Sequence, residues 1–350
     1  MRHKNPTEVF MSNKLLFIFS FLILLSCVKQ KNECLKTRAA LDIGSGSTKV
    51  KIAKVDMCKK MIVENLFQEE IPISFKEDLL SKKSGKDNMF SDEIQAFGFQ
   101  EIKKLSEKIK KFSPDEIFGV GTSAFRTANN AIYFFSKIKS EIGIPVEIID
   151  QSKEAELGLY SAATATGKKL EEMIVWDIGG ASMQITTIQN GKVETYLGEM
   201  GAISFKDQVI SRIKKKNLST IRSPNPLGVK NFIKAVKLAK EEASNKVSSQ
   251  FKDLIKKPIN VYGIGGVHSY SVYSQVEGKD NFYTFEQLQN IFPKRVTLTD
   301  EQVGGNYADT EITNLALVLG YMEALEISKV IIYNINLTEG ILVYPEIIAK

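Results

Sequence analysis

Apolar and polar residues alternate along residues 38–56 in the way expected of two paired β-strands, RAALDIG and STKVKIAKVD. A third strand is predicted near residues 61–73, MIVENLFQEEIPI. Residues 91–112 change to the apolar spacing of an α-helix, with Ser91 as its N-cap. The rest of this half predicts a strand leading into a loop, a helix, a strand and a helix, at residues 116–125, 129–143, 145–150 and 153–166.

The same order of elements restarts at residue 173. MIVWDIGG, SMQITTIQNG and KVETYLGEMG predict three strands, and Asn190-Gly191 forms the turn between the second and the third. Two halves of the same β-β-β-α-β type indicate an internal duplication, with its boundary near residues 163–172. The rest of the second half predicts helices near 203–216, 229–254, 284–292 and 311–327, and strands at 259–266 and 329–336.

The N-terminus is expected to be a targeting segment and not part of the fold. Residues 14–26 are a lysine followed by an apolar run that is short for a membrane span. Leu24-Leu25-Ser26-Cys27 resembles the lipobox of bacterial lipoproteins, which implies a signal peptide over residues 1–26 and lipidation of Cys27. A start at Met11 would give a more typical leading segment, and an uncleaved membrane anchor is the alternative. We therefore expect an exported protein, tethered by its lipid to a bacterial membrane on the periplasmic side, with a linker at residues 27–37.

Composition and charge narrow the function classes. The 350 residues are 43% hydrophobic and 25% charged, which is typical of a globular protein with room for two domains. The net charge of +6 lies largely in helical stretches such as KKLSEKIKKF, which favours solvated helix faces over steering of a polyanionic ligand. Because no zinc-finger spacing and no aromatic ribonucleoprotein-type strand occurs, we expect no nucleic-acid partner.

Cysteine and histidine positions add two further expectations. Cys34 and Cys58 lie almost symmetrically about the loop at residues 43–47, at the same open end of the first predicted hairpin. A disulfide between them is geometrically reasonable in an exported protein, and two free thiols are the alternative. The only histidines are His3 and His268, so a phosphohistidine or a histidine-based triad would depend on His268 alone.

Two glycine-rich loops carry the candidate chemistry. AALDIGSGSTKV (39–50) and IVWDIGGASMQIT (174–186) each place an aspartate at the end of a buried strand, followed by small residues. Such loops expose backbone N–H groups that bind phosphate oxygens, and the aspartate can hold a metal ion directly or through water. A third glycine-rich turn, GIGGV (263–267), follows another strand. No Walker A motif is present, so the loops do not indicate P-loop chemistry.

GVGTSAFRTANNAIYFF, PVEIIDQSKEAELGLYSA and IVWDIGGASMQI, in this order, resemble the exopolyphosphatase/guanosine pentaphosphate phosphatase (Ppx/GppA) family of the actin/Hsp70/sugar-kinase superfold. The resemblance runs from about Ala39 to about Gly340. It implies an α/β, duplicated actin-like (ribonuclease H-like) fold with two domains, mixed five-stranded sheets and a central cleft. The domains are expected at residues 38–163 and 164–340, with the C-terminal segment 341–350 packing back onto the first.

The resemblance also implies roles for individual residues. Glu154 falls on the catalytic glutamate, Arg126 on an arginine that contacts phosphate, and Asp42 and Asp177 on positions suited to magnesium or another divalent cation. The phosphate-binding positions are Gly44, Ser45, Gly46, Ser47, Thr48, Gly179, Gly180, Ala181, Ser182 and Gln184. The third turn, with Gly263, Gly265 and Gly266, falls on a turn that approaches nucleotide in relatives of the superfold.

The chain departs from the family pattern at two places. Lys153 stands where the family carries the first glutamate of a pair, and only Glu154 remains. The second loop ends Ser182-Met183-Gln184, where the family reads Ser-Thr-Glu and the nucleoside triphosphate diphosphohydrolases read Ser-Thr-Gln. Met183 matches neither family and bears on the substrate preference. The long C-terminal helical extension of larger family members is missing, so processive handling of long polymers is not expected.

The function expected from this sequence is hydrolysis of a terminal phosphoanhydride bond by an in-line water, assisted by a divalent cation. The substrate would be inorganic polyphosphate or a nucleotide polyphosphate, and a dimer is the expected assembly. Two alternatives remain open. One is a sugar or acetate kinase of the same superfold, and the other is a non-catalytic lipoprotein that binds phosphate or polyphosphate.

Overall fold

The computed structural model describes residues 34–81, 88–276 and 280–349. The expected signal peptide and the lipidation position Cys27 lie outside the described residues. Within the described ranges, none of the helices has the length and apolar character needed to span a bilayer.

Two mixed β-sheets form the framework of the molecule. The first sheet contains β1 (Leu35–Ile43), β2 (Ser47–Asp56), β3 (Met61–Pro72), β4 (Glu116–Gly121) and β5 (Val146–Ile148). The second sheet contains β6 (Met173–Ile178), β7 (Met183–Gln189), β8 (Lys192–Gly198), β9 (Asn260–Ile264), β10 (Phe282–Thr284) and β11 (Lys329–Ile332).

The strand orders confirm the duplication. The first sheet is ordered β3-β2-β1-β4-β5, and the second is ordered β8-β7-β6-β9-β11-β10. In both sheets the first three strands are antiparallel, and the next two join in parallel. The second sheet differs from the five-stranded expectation because β10 adds an antiparallel sixth strand beside β11. With three residues directly before a helix, β10 is too short to show an alternating pattern.

The helices follow the strands in both halves. They are α1 (Phe75–Leu79), α2 (Asp92–Lys110), α3 (Ser123–Thr127), α4 (Ala131–Ile142), α5 (Gln151–Thr166), α6 (Ala202–Gln208), α7 (Val229–Lys246), α8 (Ser249–Ile255), α9 (Phe285–Arg295), α10 (Asp300–Val303), α11 (Ala308–Leu325), α12 (Leu337–Val343) and α13 (Glu346–Ala349).

Local sequence signals explain several element ends. Ser91 caps α2, accepting a hydrogen bond from the Ile94 N–H at 3.2 Å, and α4 ends at Gly143 in the left-handed region, with φ of +82°. The predicted helix over residues 229–254 is two helices. The chain leaves α7 at Val247, and the Ser248 side chain caps α8.

Each sheet has its own aromatic-rich core. In the first half, Phe75 packs edge-on against Phe125 within the buried core, with ring centroids 4.8 Å apart. In the second half, the fully buried Trp176 of β6 packs against Tyr321 of α11, with ring centroids 5.9 Å apart. Burying side chains of this size supplies the main favourable free energy of folding.

Two helices cross between the sheets and join the halves. α5 follows the first sheet but packs against the second, and α12 follows the second sheet but packs against the first. At the crossing, the Gly340 N–H donates to Ser161 Oγ at 2.8 Å. A methyl group on Gly340 would lie 2.4 Å from the Leu157 carbonyl oxygen, so the close approach requires glycine. The segment that packs back begins at Leu337, before residue 341.

Cys34 and Cys58 form a disulfide in the structure, with their Cα atoms 5.4 Å apart. It ties the start of β1 to the turn between β2 and β3. The Met57 N–H also donates to the Cys34 carbonyl oxygen at 2.7 Å, so this end of the sheet is closed by covalent and hydrogen bonding together.

Candidate active site

A cavity of about 520 Å³ lies between the two sheets, and both halves of the chain contribute to its walls. The carboxyl ends of parallel strands meet here, which is where open α/β sheets place their ligand sites. The lining comes from residues 44–47, residues 178–182, residues 265–267, residues 304–307, the start of α11 and the start of α12.

The two sequence repeats form two equivalent loops on this cavity. In the first loop (residues 44–47) the Gly44 N–H donates to the Ser47 carbonyl oxygen at 2.9 Å. In the second loop (residues 179–182) the Gly179 N–H donates to the Ser182 carbonyl oxygen, also at 2.9 Å. The same sequence pattern therefore forms the same closed turn twice.

Each loop is supported by the segment that follows the third strand of its sheet. The Lys76 N–H donates to the Ser45 carbonyl oxygen at 2.9 Å, and the Ile203 N–H donates to the Gly180 carbonyl oxygen at 2.7 Å. The loops also touch each other, since a methyl group on Gly180 would lie 3.1 Å from Ser45 Cβ. Small residues are therefore needed for both loops to face one bound group.

Three carboxyl groups converge from three different elements. Asp42 is the second-last residue of β1, the strand directly before the first loop, and Asp177 is the second-last residue of β6. Glu154 lies in the first turn of α5, whose N-cap is Asp150. Burial raises the pKa of Asp42, although Lys49 opposes the shift, and burial raises the pKa of Glu154 against the effect of Arg126. Burial, with the neighbouring Glu154, raises the pKa of Asp177 to about 7.

Two cations accompany these carboxyl groups. Lys49 stands opposite Asp42 in the β1–β2 pair, lines the cavity and places Nζ 3.5 Å from Asp42 Oδ2. Burial acts to lower the pKa of Lys49, but Asp42 and Glu70 outweigh it, so the pKa is raised and the side chain stays charged. Arg126 lies behind Glu154, donating to Glu154 Oε2 at 2.7 Å and to the Ile149 carbonyl oxygen at 3.1 Å.

The residues present suit a hydrated divalent cation. Asp42 Oδ1 is buried and has no hydrogen-bond partner. Asp177 Oδ1 lies 2.7 Å from the position of a methyl group on Gly265, whose φ of +81° also requires glycine. Among the described residues, oxygens of Asp42, Glu154 and Asp177 do not all lie within 4.8 Å of one another. Mg²⁺ keeps much of its water shell and needs only one or two carboxylates, so Asp42 and Asp177 would be sufficient to hold it.

Most of the residues singled out in the sequence lie on this one cavity. Those in its lining are Asp42, Gly44, Ser45, Gly46, Ser47, Glu154, Asp177, Gly179, Gly180, Ala181, Ser182, Gly265 and Gly266.

Other singled-out residues lie away from the cavity wall. Thr48 and Gln184 are buried within β2 and β7, where Gln184 is opposite Asp177 on the face that α5 covers. Gly263 lies in β9, where a methyl group would come within 2.7 Å of the His268 ring. His268 itself is in the core of the second half, and burial lowers its pKa to about 3, so it stays neutral. Its Nδ1 is 2.6 Å from the Tyr283 hydroxyl.

The two departures from the family pattern face away from the cavity. Met183 is fully buried in the core of the second half. Lys153 donates from Nζ to the Ile348 carbonyl oxygen at 3.3 Å, on the C-terminal helix α13. Neither side chain belongs to the described lining of the cavity.

One wall of the cavity was not anticipated from the sequence. It is formed by residues 304–307 and by the start of α11, including Asn314. Gly304 and Gly305 both have positive φ, of +74° and +79°, and the GGNY run is the signal that could have indicated this turn. The Asn314 amide donates to Ser271 Oγ at 2.9 Å, which leaves its buried Oδ1 without a partner. Apart from Glu311, this wall presents polar but uncharged groups beside Tyr307.

Comparison with known proteins agrees with this architecture. A model described as the Ppx/GppA phosphatase family matches residues 61–346, a range that begins after the first loop. The crystal structure of the Aquifex aeolicus member of the Ppx/GppA protein family is 21% identical, covers 89% of this chain and 98% of its own, and has a TM-score of 0.68.

Two further solved structures share the fold. An exopolyphosphatase from Cytophaga hutchinsonii is 17% identical over 89% of this chain and 98% of its own, with a TM-score of 0.68. An exopolyphosphatase-like protein is 18% identical over 89% of this chain and 97% of its own, with a TM-score of 0.71. The actin-like fold expected from the sequence is thereby confirmed.

Proposed function

The chain belongs to the Ppx/GppA phosphatase family and is a phosphohydrolase, and we propose that it releases terminal phosphate from a polyphosphate or a nucleotide polyphosphate. The observation that supports this most is the convergence of the two equivalent loops with Glu154 on one cavity. A terminal phosphoryl group held by both loops would lie beside a buried carboxyl group. This is the arrangement that in-line hydrolysis requires.

The loops supply the binding groups for phosphate. The Gly44 and Gly179 N–H groups close the two turns. The other backbone N–H groups of the loops and the hydroxyls of Ser45 and Ser182 belong to residues of the cavity lining, where they can donate to phosphate oxygens. Lys49 adds a positive charge on the side of the first loop. Fixed donors of this kind stabilise the charge that spreads over the oxygens of the transferred group without reorganising during the reaction.

Glu154 is the proposed general base. The water oxygen attacks the terminal phosphorus, a proton of the water passes to Glu154, and the bond to the bridging oxygen breaks so that the shorter phosphate chain leaves. Burial raises the pKa of Glu154, which makes the carboxylate a better proton acceptor near neutral pH. Arg126 holds Oε2 at 2.7 Å and so fixes the orientation of this carboxylate.

A divalent cation such as Mg²⁺, held by Asp42 and Asp177 through its water shell, would neutralise charge on the phosphate chain. The charge of the cavity supports this requirement. Within the described lining, Lys49 is the only lysine or arginine, against the carboxyl groups of Asp42, Glu70, Glu154, Asp177 and Glu311. A polyanion would meet net repulsion here without a bound cation.

The same charge distribution supports a substrate whose phosphates stay near the loops. A long polyphosphate chain would need cationic side chains along its path, whereas the wall around Asn314 and Tyr307 is uncharged apart from Glu311. A short polyphosphate or a nucleotide polyphosphate meets this condition.

Release of phosphate by wild type and Glu154→Gln tests the proposed hydrolysis. The substrates are short and long polyphosphate and nucleoside tri- and polyphosphates, each with Mg²⁺. We expect the variant to lose activity by about 10²-fold or more, the usual contribution of a general base. Glu156→Gln, two residues further along α5, is the matched control and should retain wild-type activity. Equal rates for wild type and Glu154→Gln on every substrate would refute the mechanism, and dependence on an acceptor sugar would favour a kinase.

We further propose that the protein is an exported lipoprotein anchored through Cys27, on the basis of the lipobox-like Leu24-Leu25-Ser26-Cys27. Fractionation of cells expressing wild type and Cys27→Ser tests this proposal. We expect wild type in the membrane fraction with its signal peptide removed, and Cys27→Ser uncleaved and without lipid. Wild type that is neither cleaved nor lipidated would contradict it.

A further inference from the structure

Lys206 is a buried lysine outside the cavity that joins the two halves of the chain. It lies on α6 of the second half and is 1% exposed. Its Nζ lies 2.8 Å from Glu77 Oε1, on α1 of the first half, and 2.6 Å from Asp309 Oδ2, in the first turn of α11. Burial acts to lower the pKa of Lys206, but Asp309 and Glu77 outweigh it and raise the pKa, so one ammonium group pairs with both carboxylates.

The three elements that meet at Lys206 are the ones that support the cavity walls. α1 contains Lys76, whose N–H supports the first loop. α6 contains Ile203, whose N–H supports the second loop. α11 begins directly after Tyr307, which lines the third wall. Lys206 is absent from the described lining of the cavity, so any effect on the reaction must pass through these elements.

The distance between α1 and α6 controls the distance between the loops. The Ile203 side chain of α6 contacts both loops. Its Cδ1 lies 3.2 Å from the position of a methyl group on Gly46 in the first loop and 3.4 Å from that on Gly180 in the second loop. Ile203 and Lys206 lie three residues apart on α6, which places them on neighbouring positions of one helix face. A change in how Lys206 holds α1 would therefore change this packing.

We propose that Lys206 is a positioning residue for phosphate release, whose bridge from Glu77 to Asp309 fixes the separation of the two phosphate-binding loops. This role presupposes the phosphohydrolase mechanism proposed above. Without the ammonium group, two carboxylates with side-chain exposures of 25% and 28% would face each other, and the remaining cation near Glu77 would be the largely exposed Arg222, 3.6 Å from Oε2. An exposed pair contributes little, so the contact between the halves would weaken at this point.

The test measures steady-state phosphate release by the full chain and by the variants Lys206→Met and Glu77→Gln. Glu77→Gln keeps the pair of Lys206 with Asp309 inside the second half and removes the ion pairs of Glu77 with Lys206 and with the largely exposed Arg222, both of which link the halves. We expect both variants to lower kcat/KM by roughly 10²-fold, with a rise in KM, since small misplacements of binding groups have effects of this size. The double variant should be no worse than Lys206→Met, because both changes break one bridge.

Lys240→Met is the matched control. Lys240 pairs with Glu323 at 2.7 Å within the second half, and the two side chains are 44% and 42% exposed. Its loss should leave kcat/KM within about twofold of wild type, because exposed pairs contribute little. Small-angle scattering without substrate should give a larger radius of gyration for Glu77→Gln than for wild type and Lys240→Met.

The outcomes separate this role from the proposed function. An active wild type together with unchanged KM in Glu77→Gln would overturn the positioning role and leave the hydrolase mechanism standing. A lower melting temperature with unchanged KM would also overturn it, because that result describes a structural ion pair only. If Lys206→Met does not fold, the isosteric Glu77→Gln variant alone decides the question. Equal phosphate release by wild type and Glu154→Gln would refute both proposals.

Discussion

Replacing Asp177 by asparagine tests the electrostatics of the cavity. Burial, with the neighbouring Glu154, raises the pKa of Asp177 from its ordinary value of 3.8 to about 7 in the folded protein. In the unfolded chain the carboxyl group returns to its ordinary pKa. An asparagine keeps the size of the side chain but cannot lose a proton, so Asp177→Asn removes this titration and little else.

The sign and size of the effect follow from the shift. Between about pH 4 and about pH 7 the folded state holds a proton on Asp177 that the unfolded state has lost, so the free energy of unfolding falls as the pH rises. The fall stops above the folded pKa of about 7. Each pH unit within the interval contributes about 1.4 kcal/mol, so between about pH 5 and about pH 8 the loss due to Asp177 is at most about 3 kcal/mol.

The assay is urea unfolding followed by the fluorescence of Trp176, which is the only tryptophan, is fully buried and directly precedes Asp177. In buffer with a chelator, wild type should lose up to about 3 kcal/mol more than Asp177→Asn between the two pH values. Asp253→Asn, at an exposed position, is the control and should behave as wild type. Magnesium should stabilise wild type at the higher pH more than Asp177→Asn. Equal pH dependence in wild type and Asp177→Asn would refute the reasoning.

Two further changes address the cavity. Lys49→Met should lower kcat/KM for phosphate release by about 10²-fold, because it removes the one lysine of the described lining and the ion-pair partner of Asp42. A kcat/KM within twofold of wild type would exclude a role of Lys49 in binding phosphate. Gly265→Ala should reduce the free energy of unfolding by about 1–3 kcal/mol and reduce activity, because φ is +81° and the methyl group would lie 2.7 Å from Asp177 Oδ1. Gly167→Ala, with φ of +65° and nothing within 4 Å of the methyl position, is its control, and it should be strained but fully active.

Local patterns were sufficient to predict most of the elements. The alternating strands, the cap at Ser91, the turn at Asn190-Gly191 and the repeat of the two loops all depend on residues close together in the chain, and the structure has each of them. β10 was not predicted, because three residues are too few to show the alternating pattern of a strand. The cavity wall at residues 304–307 was not predicted, because two glycines indicate a turn but not what the turn faces.

Long-range packing could not be predicted from these patterns. The crossing of α5 and α12 depends on Gly340 meeting Leu157, more than 180 residues apart in the chain, and neither residue carries a local signal for the contact. The bridge of Lys206 to Glu77 has the same character, since lysine is common on solvated helix faces and only the packing of the halves buries this one. The position of Lys49 opposite Asp42 could have been predicted from the sequence, because a closed turn at residues 44–47 fixes the register of β1 and β2.

The two repeats differ at the position that matters most for charge. In the first repeat Asp42 stands opposite Lys49, and in the second Asp177 stands opposite Gln184. A lysine partner favours the ionised carboxylate, whereas the amide of Gln184 carries no charge. Among the described residues, Asp177 therefore has no cation of its own in an ion pair. The duplicated fold therefore supplies two equivalent loops with unequal carboxyl groups. On this reasoning Lys49 opposes the burial that raises the pKa of Asp42, whereas we expect Asp177 to become fully charged near neutral pH only when a bound cation stabilises it.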